Sequence, residues 1–119
     1  MPDFTAHPLK KYLGATLRVV IDRPLGSRHP DWDLVYPCNY GDVPDLPGGD
    51  GEPQDAYVLG VSEPLREFEG VCIAIVVRLD DDEDKLVLAP QGLSLTPDEI
   101  QTAIAFQERF FHSRLIVQC

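Results

Sequence analysis

The residues best suited to chemistry lie in two acidic stretches. Asp50-Gly51-Glu52-Pro53-Gln54-Asp55 places three carboxylates within six residues, on a turn built by Gly48, Gly49, Gly51 and Pro53. Asp80-Asp81-Asp82-Glu83-Asp84, followed by Lys85, closes the longest apolar run of the chain. Hard oxygen ligands of this kind suit magnesium-type cations, which keep several waters and bind through one or two carboxylates together with phosphate oxygens. Asp50 and Asp55 could converge on one ion, with Glu52 projecting between them to poise a water. Strand alternation puts Asp81, Glu83 and Lys85 on one face, and a lysine beside metal-bound carboxylates is a natural partner for a phosphate oxygen. In the plainer reading, both stretches are solvated turns that hold nothing.

Other polar residues are less committed. Tyr36 and Tyr40 flank the turn Tyr36-Pro37-Cys38-Asn39-Tyr40-Gly41, where their hydroxyls either approach a phosphate or are satisfied in the core. Asn39 suits a backbone bond within that turn. Arg28, in a loop punctuated by Pro24, Gly26, Ser27 and Pro30, is either a phosphate contact or an exposed cation without a task. His29 and His112 have no ligand spacing, and neither a nucleophile-histidine set nor a glycine-rich phosphate loop is present.

Charge narrows the field. The formal net charge of −10 over 119 residues repels nucleic acid and anionic membranes, so neither is an expected partner. It also repels an anionic small-molecule substrate, so a phosphate-handling site here calls for bound cations that reverse the local sign. Apolar residues at 44% and charged residues at 25% describe an ordinary globular chain, one domain over residues 1–119. Three widely spaced cysteines, Cys38, Cys72 and Cys119, form no zinc signature and suit a reducing compartment. With its longest apolar run confined to residues 71–77, the chain is expected in the cytoplasm.

The elements that would position these groups follow from pattern. A helical turn at residues 8–13 is stopped by Gly14. Residues 17–21 read as a strand ended by Pro24, and residues 34–36 as a short strand stopped by Pro37. The Gly-, Pro- and Asp-rich segment 41–53 reads as a long ordered loop, after which residues 56–59 restart a strand. Residues 68–79 give the strongest strand, apolar on both faces and therefore central, and residues 86–89 return as another. Thr96-Pro97-Asp98-Glu99 is a capping box with proline at the first helical position. Ile100, Ala103, Ile104, Phe106, Phe110 and Phe111 supply the apolar face of the helix that follows. Residues 115–117 can add an edge strand. The pattern predicts an α+β, mainly β fold: a small OB-like closed β-barrel of about five strands with a C-terminal helix packed against it.

Three motifs in order, Tyr36-Pro37-Cys38-Asn39-Tyr40-Gly41, Asp50-Gly51-Glu52-Pro53-Gln54-Asp55 and the acidic turn ending in Lys85-Leu86-Val87, resemble the magnesium-dependent soluble inorganic pyrophosphatase family. The resemblance covers roughly residues 16–113 and extends weakly to Val19-Val20-Ile21-Asp22 and to Phe110-Phe111. It implies Mg2+, with Mn2+ or Co2+ as substitutes, held by Asp50 and Asp55 with Asp81 and Glu83, Asp84 competing with Glu83. It implies Glu52 as general base, where the family usually has aspartate, and Lys85 and Tyr40 as phosphate contacts. Tyr36 and Arg28 would support substrate binding, and Asp22 matches an acidic strand-end position. The implied activity is metal-dependent hydrolysis of pyrophosphate by a metal-activated water. The departures are a missing cationic hairpin before the tyrosine turn, with Arg28 its one clear survivor, and a missing Tyr-Lys pair near His112, Ser113 and Arg114. They motivate an alternative, a weakened or inactive domain that binds metal and phosphate compounds without turnover. Self-association through the helix or tail is left open.

Overall fold

The computed structural model describes residues 8–29, 31, 33–47, 52–79 and 84–117. After a 3-10 turn at Pro8–Tyr12, the chain forms strands β1 (Thr16–Arg23), β2 (Asn39–Pro47), β3 (Pro53–Val58), β4 (Glu67–Arg78) and β5 (Lys85–Ala89), helix α1 (Pro97–Glu108) and strand β6 (Ser113–Val117). The sheet order is β1-β2-β3-β5-β4-β6, and β1 also pairs with β4. That last pairing closes five strands into a barrel, with β6 as an added edge on β4. All pairings are antiparallel except β3 with β5.

Period-two alternation divides the strands between two apolar layers. Val43, Ala56, Val58, Ile75, Val77, Leu86 and Leu88 fill the barrel interior. Tyr57, Ala74, Val76 and Val87 point outward, where Ile100 and Ile104 of α1 cover them. This explains why residues 71–77 are apolar on both faces. The capping box forms as expected: Thr96 Oγ1 accepts from Glu99 N at 3.1 Å, and Glu99 Oε1 accepts from Thr96 N at 3.0 Å. No helix among the described residues is long and apolar enough to cross a membrane.

Three expectations need correction. Residues 41–47 are not loop but most of β2, because pairing with β1 on one side and β3 on the other supplies backbone partners that the composition does not announce. The ladder shifts register between Val43 and Pro47, which accommodates Pro44. Residues 34–36 do not form a strand; Val35 makes only an isolated bridge to Arg28. The helical face expected to run to Phe111 stops at Glu108, and Phe110 is 56% exposed.

Gly41 fixes how closely β1 and β2 approach, since a Cβ there would lie 1.9 Å from the carbonyl oxygen of Val20. Gly41→Ala must push the two strands apart, and overpacking of this kind costs about 1–3 kcal/mol; urea unfolding will register it as a lower midpoint. The buried thiols of Cys38 and Cys72 are pushed up to about 12 and about 11 by desolvation. A raised thiol pKa leaves little thiolate at pH 8, so neither should react with a disulfide reagent until the protein is unfolded.

Candidate active site

The outer face of the sheet is apolar only as far as α1 covers it. Past the last helical turn the same face continues as charge. Val87 of β5 is preceded on its face by Lys85, Val76 of β4 is followed by Arg78, and Tyr57 of β3 is preceded by Asp55. In the β2–β3 register Tyr40 lies opposite Tyr57 and Asp42 opposite Asp55. A cleft of about 280 Å³ opens here, lined by Asp22, Arg23, His29, Tyr36, Tyr40, Asp55, Arg78, Lys85, Gln107 and Phe111.

Two ion pairs organise the cleft. Lys85 Nζ meets Asp55 Oδ2 at 2.6 Å, with the lysine buried and the aspartate one-third exposed. The parallel β3–β5 register, Ala56 beside Leu86, brings the preceding residues Asp55 and Lys85 together. Arg78 donates from Nε to Glu108 Oε1 at 3.1 Å and from Nη2 to Glu108 Oε2 at 2.7 Å. Both side chains are almost fully buried, 3% and 5% exposed, and the Phe111 ring lies over the guanidinium at 3.7 Å. The backbone N–H of Arg78 also donates to Asp84 Oδ1 at 2.9 Å.

Beneath these pairs runs a continuous hydrogen-bond relay. Tyr36 Oη donates to Gln107 Oε1 at 3.1 Å, Gln107 Nε2 donates to Tyr57 Oη at 2.8 Å, and Tyr57 Oη donates to Glu108 Oε2 at 2.5 Å. Burial raises the Tyr57 pKa, and the Glu108 carboxylate adds to the rise. Tyr40 is likewise raised, first by burial and then by the nearby Asp55 carboxylate, while Arg78 pulls in the other direction. Tyr36 is raised by burial and partly offset by Arg23. These phenols stay protonated and act as donors.

The acids at the barrel end are crowded. Partial burial, then the carboxylates of Asp22 and Asp55, hold Asp42 above the ordinary carboxyl range. Like charges gathered this way favour a bound cation. Among the described residues no three His, Cys, Asp or Glu side chains are arranged to hold one ion.

No family model matches the sequence. An inorganic pyrophosphatase of Rickettsia typhi is 37% identical over 73 residues, 57% of this chain and 41% of the relative. One of Methanosarcina mazei is 38% identical over 85 residues, 56% of this chain and 48% of the relative. Over little more than half of its length the chain is similar in sequence to inorganic pyrophosphatases. It spans less than half the length of the curated pyrophosphatases it matches. The pyrophosphatase fold is shared as well: the crystal structure of the Ehrlichia chaffeensis enzyme superposes with a TM-score of 0.69 at 16% identity, covering 88% of this chain and 87% of that one. The Neisseria gonorrhoeae pyrophosphatase gives 0.61 at 22% identity, over 78% and 72%.

Of the residues selected from sequence, Asp22, Tyr36, Tyr40, Asp55 and Lys85 meet in the one cleft. Asp84 stands just outside, its carboxylate on the Arg78 N–H and its carbonyl accepting from Gln54 Nε2. Glu52 is exposed just before β3 and is not in the lining. Arg28 pairs with Asp33 at 3.2 Å on the surface; the arginine that reaches the cleft is Arg23, the last residue of β1. Asp50, Asp81 and Glu83 lie outside the described residues. Sequence reasoning missed Arg23, Arg78, Gln107 and Glu108. A signal existed for the last two, which occupy the Ile100 and Ile104 face of α1 at i+7 and i+8 from Ile100. The lining also brings its own cations, Arg23, Arg78 and Lys85 against Asp22 and Asp55, so the strongly negative chain is locally balanced there.

Glu108→Ala would leave the Arg78 guanidinium buried without its counter-charge. Loss of one partner of a buried pair costs about 3–5 kcal/mol, which chemical denaturation of the purified variant should detect.

Proposed function

We propose that this chain hydrolyses inorganic pyrophosphate to two phosphates in the cleft between β2, β3, β5 and the end of α1. The observation that carries the reading is the convergence of Asp22, Tyr36, Tyr40, Asp55 and Lys85, drawn from separate segments, into one cleft. The pyrophosphatase relatives and the shared barrel support it. Water adds to one phosphorus, the bridging P–O bond breaks, and the bridging oxygen leaves with the second phosphate.

No three described acids converge on one ion, but Asp22 and Asp55 line the cleft, and carboxylate donors suit Mg2+, with Mn2+ or Co2+ as substitutes. Asp55 would hold it, with Asp50, Asp81, Glu83 and Asp84 as the further acids. Once bound, such a cation neutralises the substrate and makes water a stronger nucleophile near neutral pH. The protein side chains divide the remaining work. Glu52 accepts the proton of the attacking water. Lys85 and Tyr40 hold phosphate oxygens, Tyr36 supports Tyr40 through ring contact at 5.8 Å, and Arg23 takes the loop-cation role first expected of Arg28. Asp22 completes the acidic end of the cleft. The substrate is a small molecule and the setting cytoplasmic.

A second reading, binding of metal and phosphate without turnover, draws on the surface position of Arg28, which pairs with Asp33 and does not line the cleft. Asp55→Asn distinguishes the two. Hydrolysis predicts that phosphate release from pyrophosphate with magnesium falls by orders of magnitude at a temperature where the variant, destabilised by loss of the Lys85–Asp55 pair, is still folded. Binding alone predicts no release from either protein, with magnesium still raising Tm; a ligand at 100 times its Kd stabilises by about 2.7 kcal/mol.

A further inference from the structure

We propose that Arg78 is a further cation that binds a phosphate group in this cleft, beside Lys85, and that Glu108 holds its guanidinium in position. The inference rests on the phosphate-site reading above. Arg78 follows Ala74 and Val76 on the outward face of β4, both of which are fully buried. A charged group is out of place in that series unless its position is of use. The guanidinium keeps its proton even when buried, which a lysine ammonium does not reliably do. Its burial therefore preserves a permanent positive charge.

The geometry makes that charge rigid. Glu108 takes Nε and Nη2, Phe111 covers a face, and Asp84 anchors the backbone N–H. Glu108 is fixed in turn by Tyr57. Such a group needs little reordering when an anion arrives, which is where preorganised sites gain affinity. As a stabilising device the pair makes little sense, because a buried ion pair does no better than apolar side chains of similar volume. Beneath a cleft it has a use: Arg78 lines the opening together with Tyr40 and Lys85. Lys85, paired with Asp55, faces the same opening from β5, whereas Arg28 is held at the surface by Asp33. With Nε and Nη2 on Glu108, what Arg78 offers the cleft is a guanidinium charge fixed in place, added to those of Arg23 and Lys85.

The test separates binding from folding. Arg78→Met combined with Glu108→Leu replaces the ion pair by an apolar one, which should keep the fold and a Tm near that of the parent. Inorganic phosphate is titrated calorimetrically into each protein with magnesium present, without reliance on turnover. The expected result is that phosphate binds the double variant roughly ten- to a hundredfold more weakly, as befits a lost charged hydrogen bond. Affinity within twofold of the parent overturns the proposal. Should the double variant fail to fold, Arg78→Lys carries the same test: it keeps a charge but not the two bonds to Glu108 that hold it in position, a loss of about tenfold is expected, and unchanged affinity overturns the proposal. If the parent binds phosphate but releases none from pyrophosphate, and the variants bind more weakly, the role of Arg78 stands and hydrolysis falls. If the parent binds no phosphate, both fall.

Discussion

Strands β3, β4 and β5 are covered by the barrel interior on one side and by α1 on the other, which excludes charge along most of their length. Charge finds room only where the helix stops. Lys85 begins β5, Arg78 ends β4 and Asp55 lies near the start of β3, so the three meet at one end of the layered structure. The position of the cleft is thus a consequence of helix length: twelve residues of α1 protect the apolar part of the sheet and leave the polar part open.

Desolvation then dictates how the charges are arranged. Neither Lys85 nor Arg78 can be buried alone, and each has a carboxylate from another element, Asp55 from β3 and Glu108 from α1. These bonds tie helix to barrel and strand to strand, so the polar floor is also a structural joint. The tyrosines serve similarly. Tyr57 is fully buried and would be costly with its hydroxyl unpaired, yet it both donates to Glu108 and accepts from Gln107. Chemical readiness and satisfied burial are met by the same contacts.

How much of this could be read from the chain depends on the range of the cause. The capping box at Thr96 and the two-faced apolar strand at residues 71–77 are local signals, and both elements form as expected. Asp55, Tyr40 and Lys85 could be chosen because their motifs are short and chemically pointed. Strand β2 was hidden, since Gly41, Pro44 and Pro47 favour a loop and only the flanking strands make extended backbone worthwhile. Arg78 and Glu108 were hidden for another reason. They are thirty residues apart, and nothing in either neighbourhood announces the other. The choice between Arg28 and Arg23 turned on side-chain direction at the end of β1, which charge and spacing do not specify.

The closure of the barrel through β1 and β4, and of the cleft through α1, has a bearing on the order in which the molecule matures. Glu108 and Phe111 leave the ribosome after all five barrel strands, whereas Asp22 leaves with the first of them. A nascent chain that has reached β5 can already pair its strands, but Arg78 then lacks its carboxylate and its aromatic cover. The Arg78 guanidinium is therefore fixed in place only once α1 docks, so the order of synthesis sets the order in which the polar floor is completed.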